Sequence, residues 1–385
     1  MNGVRGLDPR GALAALRTQL VDWLIYSVYP LWARLGIDPQ NGGFAAALEQ
    51  NGVALPYPRR ARIHPRQIYA FAQAPAFGWR GDVAGIVKRA LGYFTAQYRR
   101  NDGFFRTLVG VDGAALDARA LLYDQAFALL GYAAAATALD ARREYEGRAL
   151  ELRGLIESRW RTADGAFLSG ETDEEYLESN PHMHLLEACL AWAEVGSDPG
   201  WDAWVRNLID IALCRFIRKD SGALGEAYTA RWQPAPGLFG RIIEPGHQFE
   251  WGWLLLRCER RYGLPLRSSA LRLIAIGEDY GVLNKVAVNA LLDDLSVHDP
   301  NARLWPQTER LKAAILAAQL TGEPQFWSMA HAAVLSILPY LDTPLSGLWF
   351  DMQRPSGEHL DSSAPASTLY HLIGAIAALN AALHP

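Results

Sequence analysis

The sequence predicts an all-α protein: a closed (α/α)6 barrel of six inner and six outer helices, with short β segments and loops at one mouth. Three observations lead there. Glycine-centred turns recur at Gly43, Gly103, Gly165, Gly222, Gly281 and Gly347, 57 to 66 residues apart along the 385-residue chain. The helical patterns between these turns come in two kinds, one half-exposed and one apolar nearly all round. Polar residues stand at the same place near the start of the apolar helices.

The turns read "NGGFAAAL", "NDGFFRTL", "ADGAFLSG", "DSGALGEAY", "DYGVLNKV" and "LSGLWFDM". Each predicts a tight turn leading into a short extended piece, with glycine supplying the positive φ. Among the half-exposed helices, "DVAGIVKRALGYF" places Val83, Ile86, Val87, Ala90 and Phe94 on one face and Lys88 and Arg89 on the other. "REYEGRALELRGLIESRW" turns Leu152, Leu155 and Ile156 inward in the same way. The second kind includes "LLYDQAFALLGYAAAATAL", "EWGWLLLRC", "LKAAILAAQL" and "HLIGAIAALNAAL", which must be buried on all sides. Six units of one half-exposed and one buried helix close naturally into a ring within a ring. An open solenoid would need polar end repeats, and the last helix is wholly apolar. The barrel is expected to form one domain over residues 1–385.

Half of the residues are hydrophobic, enough for a large core. A formal net charge of −4 with no basic stripe argues against nucleic acid as a partner. The N-terminal "MNGVRGLDPRGALAALRTQL" lacks the continuous apolar stretch of a signal peptide. Apolar runs such as "FALLGYAAAATAL" fall short of a membrane span of roughly 18 residues. Cys189, Cys214 and Cys258, an odd and sparse set, read as reduced core thiols of a cytoplasmic protein. Thirteen tryptophans suit sugar faces and apolar cores alike. Either a monomer or a homodimer fits.

The polar residues opening the buried helices are Arg66, Asp124, His184 with Glu187, His247 with Glu250, Glu309 and His371, spaced 58 to 63 residues apart. In a closed barrel, equivalent positions converge on one mouth, where helix N-termini add a positive field. Taken singly, Arg66 reads as a buried ion-pair partner, Asp124 as satisfying a neighbouring backbone group, His184 and His247 as hydrogen-bonded core residues and Glu187, Glu250 and Glu309 as orienting residues, whereas His371, opening a wholly apolar helix, is wasted on a structural role alone. Their shared register argues against that reading, because core histidines need not keep phase. "HMHLLE" invites a metal site at His182, His184 and Glu187. Histidines two apart on a helix point in different directions, however, and HExxH spacing is absent. No phosphate-binding glycine loop and no GxSxG elbow occur. Neither metal nor cofactor is therefore expected.

Two imidazoles and an arginine around one pocket suit proton transfer beside a carbonyl. Removing the C2 proton of an open-chain sugar gives an enediol(ate), whose oxygens a guanidinium stabilises. Returning the proton to C1 gives the ketose. Returning it to C2 from the other face gives the epimer. A glycoside hydrolase using Asp124 and Glu309 as its carboxylate pair would leave the histidines unexplained, and a non-catalytic sugar-binding protein would turn nothing over.

The stretches "RQIYAF", "YDQAFAL", "NPHMHLLEA", "PGHQFEWGWLL", "LWPQTERLKAA" and "GLWFDMQRPSGEHLDSSAPASTLYHL" resemble the N-acylglucosamine 2-epimerase superfamily, in the right order over most of the chain. Within it, "SSAPASTLYHL" looks more like the mannose isomerase branch, whereas "NPHMHLLEA" is shared with cellobiose epimerases. The resemblance implies an (α/α)6 barrel with His247 and His371 as acid/base residues and Arg66 on the enediolate. It also implies His184 on the substrate, Glu250 orienting the His247 side and Trp305 packing on the sugar. Asp124 and Glu309 are expected beside the substrate. The expected reaction is cofactor-independent interconversion of mannose and fructose, extending to lyxose and xylulose, with a 2-epimerase as the rival. Arg59, Arg60 and Arg62 read as a solvated basic turn or an anion site. "TARWQPAPGLFGRIIEP" reads as a lid-like loop beside His247.

Overall fold

A computed structural model describes residues 9–173, 176–360 and 363–383. The first eight residues of the N-terminal stretch lie outside the described residues, as do Asp361 and Ser362 of the C-terminal motif.

The chain alternates outer and inner helices. Outer α1 (Pro9–Trp23) runs through a π-turn at Leu24–Val28 into α2 (Tyr29–Leu35). Inner α3 (Ile63–Ala72) and the single turn α4 (Ala74–Phe77) lead to outer α5 (Val83–Tyr98). Then come inner α6 (Leu122–Ala138), outer α7 (Arg142–Trp160), inner α8 (Ser179–Val195) and outer α9 (Gly200–Ile211). Inner α10 (Pro245–Tyr262), outer α11 (Arg267–Gly281), inner α12 (Leu304–Thr321), outer α13 (Pro324–Leu341) and inner α14 (Ala366–Leu383) complete the series. Each inner helix packs on the next, and α14 packs back on α3, closing the ring. The seam is hydrogen-bonded. Gln67 Nε2 donates to the Ala366 carbonyl at 2.6 Å, and Ala47–Leu48 pairs antiparallel with Ala364–Pro365. The pattern that predicted full burial holds best on α12, where every residue from Pro306 to Ala318 is buried, charged ones included.

The glycine turns hold with two corrections. Gly103, Gly165, Gly222 and Gly347 take φ of 92°, 90°, 75° and 103°. In the first unit the left-handed residue is Gly42 rather than Gly43, and in the fifth the turn is made by Asn284 and Lys285 (φ 48° and 75°). Gly281 instead ends α11, where a Cβ would lie 2.5 Å from Pro245 Cβ; glycine there lets α11 approach the start of α10.

A second periodic device emerges from the structure. The residue two positions beyond the last left-handed residue of each of the first five turns is tied by its backbone to a buried side chain on the next inner helix. Phe44 N donates to His64 Nε2, Phe105 N to Gln125 Oε1, Phe167 N to His182 Nε2, Leu224 N to Gln248 Oε1 and Ala287 N to Gln307 Oε1, all at 2.8–3.0 Å. The glutamines also donate back to the same residue's carbonyl. Buried backbone groups are thereby satisfied, and each mouth hairpin is pinned to a helix N-terminus. His182 belongs to this set and faces away from His184. Burial holds His64 and His182 neutral, down to about 3 and about 4.

Three further expectations need amending. Cys189 and Cys258 are core thiols, but Cys214 is exposed. Residues 366–383 are long and apolar enough to cross a membrane, yet this helix is the inner α14, packed between α12 and α3. Arg59, Arg60 and Arg62 do not form one solvated turn. Arg59 is buried on Asp38 and Tyr93, Arg60 is exposed, and Arg62 stacks on Tyr123 and reaches Asp124 at 3.5 Å.

Candidate active site

The N-terminal ends of the inner helices surround a cavity of about 270 Å³ lined by Arg66, His184, His247, Glu250, Trp305 and His371, with Arg62, Tyr123, Asn180, Glu244, Arg303 and Asp351 around them. Its size suits a small polar molecule. A larger recess of about 840 Å³ beside Glu49, Tyr57 and Leu345 holds none of the histidines. Six of the eight predicted site residues thus share one cavity. The other two, Asp124 and Glu309, are fully buried behind its wall. Asp124 meets Arg62, and its neighbour Tyr123 takes the cavity position.

His247 sits in the first turn of α10, which Pro245 opens. Its Nδ1 lies 2.9 Å from Glu226 Oε2, and Glu244 stands 3.9 Å away. Glu226 is held in turn by Ser179 Oγ at 2.8 Å and by the Glu244 backbone N–H at 3.2 Å. Burial disfavours the imidazolium, but the two carboxylates outweigh it and raise His247 to about 10. Glu250, expected to orient His247, is not its hydrogen-bond partner. Both of its carboxyl oxygens are buried without one, and Oε1 lies 4.0 Å from His184 Nδ1. Burial, with Glu309 nearby, pushes Glu250 well above the usual carboxyl range.

His371 has the opposite surroundings. Its Nδ1 lies 2.8 Å from Glu309 Oε1, and Lys312 Nζ pairs with Glu309 Oε2 at 2.6 Å. Burial, reinforced by the Arg66 and Lys312 cations, drives His371 well below the ordinary histidine range. Both histidines spend Nδ1 on a glutamate and keep Nε2 for the cavity. The Trp305 ring lies between them, with centroids 5.2 Å from His247 and 5.5 Å from His371. The surroundings thus favour the charged form of His247 and the neutral form of His371, over one aromatic platform.

Arg66 is 5% exposed. It donates to Tyr123 Oη at 2.8 Å and to the Ser367 carbonyl at 3.3 Å, and stacks on Phe127. No carboxylate among the described residues pairs with it, so its charge is available to an anion forming in the cavity. His184 sits 3.4 Å from Glu187, which also accepts from Tyr370 Oη. Burial keeps His184 neutral, down to about 3. Two sets of buried groups, His184–Glu187–Glu250 and Glu250–Glu309–His371, bring three potential ligand atoms within 4.8 Å of one another. The Lys312 ammonium already occupies this neighbourhood, so a dication would compete with it.

Sequence reasoning missed Glu226, Tyr123, Lys312, Arg303 and Asp351. Glu226 lies in "DSGALGEAY", four residues beyond the Gly222 turn, and an acid in that hairpin was the available signal. The proposed lid segment is tied down by Trp232 to Asp164, Arg241 to Asp293 and an Ile243–Leu291 bridge.

Two histidine–glutamate pairs thus face one cavity at the mouth of a closed (α/α)6 barrel. The chain belongs to the N-acylglucosamine 2-epimerase (GlcNAc 2-epimerase) family, whose profile matches residues 42–375. It is 43% identical over 371 residues to a mannose-6-phosphate isomerase of Rhizobium meliloti (strain 1021), covering 93% of this chain and 95% of that one. It is 24% identical over 362 residues to a D-mannose isomerase of Marinomonas mediterranea, covering 88% and 91%. The fold matches a crystal structure of D-mannose isomerase (TM-score 0.85, 22% identity, 98% and 99% covered). It also matches cellobiose 2-epimerase from Spirochaeta thermophila (TM-score 0.84, 24% identity, 98% of each chain). The protein is a sugar isomerase or epimerase by family.

Proposed function

We propose that the chain is a cofactor-independent aldose–ketose isomerase that interconverts D-mannose and D-fructose, and D-lyxose and D-xylulose. The observation that carries this reading is the convergence of His247 and His371 on one cavity across Trp305, each with Nδ1 on a glutamate, in surroundings that favour charge on His247 and a neutral His371. His247 protonates the ring oxygen as the C1–O bond of the ring breaks, and the anomeric O1–H proton passes back to His247, leaving the C1 aldehyde. His371 Nε2 then takes the C2 proton. The C2–H electron pair becomes the C1–C2 double bond, and the carbonyl pair moves to O1, facing Arg66. The proton returns from His371 to C1 while the O2 hydroxyl proton passes to O1, leaving a carbonyl at C2. His184 binds the O1/O2 region, and Glu226 rather than Glu250 holds His247. The 43% identical relative and the Marinomonas mediterranea relative are both named as isomerases, which supports isomerisation.

Mannose turned over in deuterated water, without added metal, and followed by NMR tests the reading. Fructose is the expected product. Glucose in its place would make the chain a 2-epimerase. The second reading, a 6-phosphosugar substrate, draws on the 43% identical relative and on Arg62 and Arg303 at the cavity rim. Mannose 6-phosphate in the same assay decides it, with kcat/KM compared between the two sugars.

Gly246 tests the platform. A Cβ there would come within 2.3 Å of the Trp305 ring and 3.1 Å of Pro306. Overpacking of this kind costs roughly 1–3 kcal/mol. Gly246→Ala should displace Trp305 and raise KM about tenfold, with a smaller change in kcat. Unaltered steady-state kinetics would detach Trp305 from the sugar.

A further inference from the structure

Lys312 is 2% exposed and does not line the cavity, yet it stands at the centre of the buried charges beneath it. Its Nζ is 2.6 Å from Glu309 Oε2 and 3.9 Å from the centroid of the Trp253 ring. The other Glu309 oxygen is 2.8 Å from His371 Nδ1. A continuous line therefore runs from a buried ammonium through a carboxylate and an imidazole to the cavity. A lysine buried this deeply is costly unless it neutralises charge already there. Here it faces Glu187 on α8, Glu250 on α10 and Glu309 on its own helix, with Tyr69 on α3 and His371 on α14 also within its field.

We propose that Lys312 is a positioning residue for the base: its ammonium keeps Glu309 a carboxylate, so that Glu309 accepts the Nδ1–H of His371 and leaves Nε2 bare towards the sugar. Burial raises Glu309 above the ordinary carboxyl range and the Lys312 ammonium opposes that rise, so without Lys312 burial and the nearby Glu187 favour a protonated Glu309. A protonated carboxyl donates to Nδ1 rather than accepting from it. The imidazole then carries its proton on Nε2, where it faces C2 and cannot take another. The ammonium thus selects a tautomer from two residues away, a role distinct from contact with substrate. This inference rests on His371 being the base, as proposed above.

The test combines kinetics with a tautomer measurement on the resting enzyme. Nitrogen-15 histidine labelling should show His371 of the wild type as the neutral Nδ1–H form, and Lys312→Met should convert it to Nε2–H. With mannose as substrate, Lys312→Met should lower kcat about 100-fold or more while KM stays within about threefold. Glu309→Gln should show a similar loss, because an amide donating to Nδ1 enforces the same wrong tautomer. The double variant should lose no more than the worse single one, since the two act through one bond. A wild-type His371 protonated on Nε2 overturns the proposal, as does Nδ1–H retained in Lys312→Met. Additive losses in the double variant do the same. Should Lys312→Met not fold, the wild-type tautomer and Glu309→Gln still decide. The NMR measurement needs no substrate, so absence of fructose formation would sink the isomerase reading and leave the tautomer result standing.

Discussion

Replacing His371 by alanine should remove about 10²–10⁴ of kcat for fructose formation from mannose, with KM little changed. The imidazole is buried and held by Glu309, and its Nε2 is the free ring nitrogen at the cavity. Its neutral state comes from burial and from the Arg66 and Lys312 cations. Alanine leaves the Trp305 platform, Arg66 and His184 in place, so binding should survive where proton transfer does not. A steady-state comparison with circular dichroism as a folding control checks this. Near-normal kcat in the alanine variant would take His371 out of the chemistry.

Glu226→Gln should have the next largest effect, and its signature is in the pH profile. Burial opposes charge on His247, and Glu226 and Glu244 together hold it at about 10. Activity that needs His247 charged and His371 neutral should therefore be flat through neutrality and fall as pH approaches about 10. Glutamine removes the Glu226 charge from beside His247, so burial weighs more and the alkaline limb moves down towards neutral pH. Near pH 8, kcat/KM should drop about 100-fold, recovering in part at lower pH. Stability follows the same sign. A histidine whose folded value lies above its unfolded value of about 6.5 stabilises fully below that pH and loses the contribution as pH rises through about 10. The wild type should lose Tm over that window, and the variant should show a flatter alkaline limb. An unmoved alkaline limb in kcat/KM would mean that Glu226 does not set the charge of His247.

The barrel was legible because its period is written in punctuation and burial together. The turns at Gly103, Gly165, Gly222 and Gly347 fell where expected, and α12 is buried along its length as its pattern required. The site was legible to the extent that its residues share a helical register. Arg66, His184, His247 and His371 keep that register and meet in one cavity. Asp124 shows the limit of the method. One residue on a helix turns the side chain by about 100°, and Tyr123 rather than Asp124 reaches the cavity. Glu250 shows another limit. An acid one turn from His247 on the same helix was the natural partner by spacing, but Glu226, delivered by a hairpin, holds Nδ1 at 2.9 Å. Glu226 and Lys312 had no periodic signal, because their positions depend on how separate units pack across the barrel.

The seam between α14 and α3 couples assembly to competence. The helix that shuts the ring also carries His371, and its first turn supplies the carbonyls that Gln67 and Arg66 grip. A chain cut short of Ala366 would therefore lack His371, the proposed base, and leave the guanidinium of Arg66 without one of its anchors.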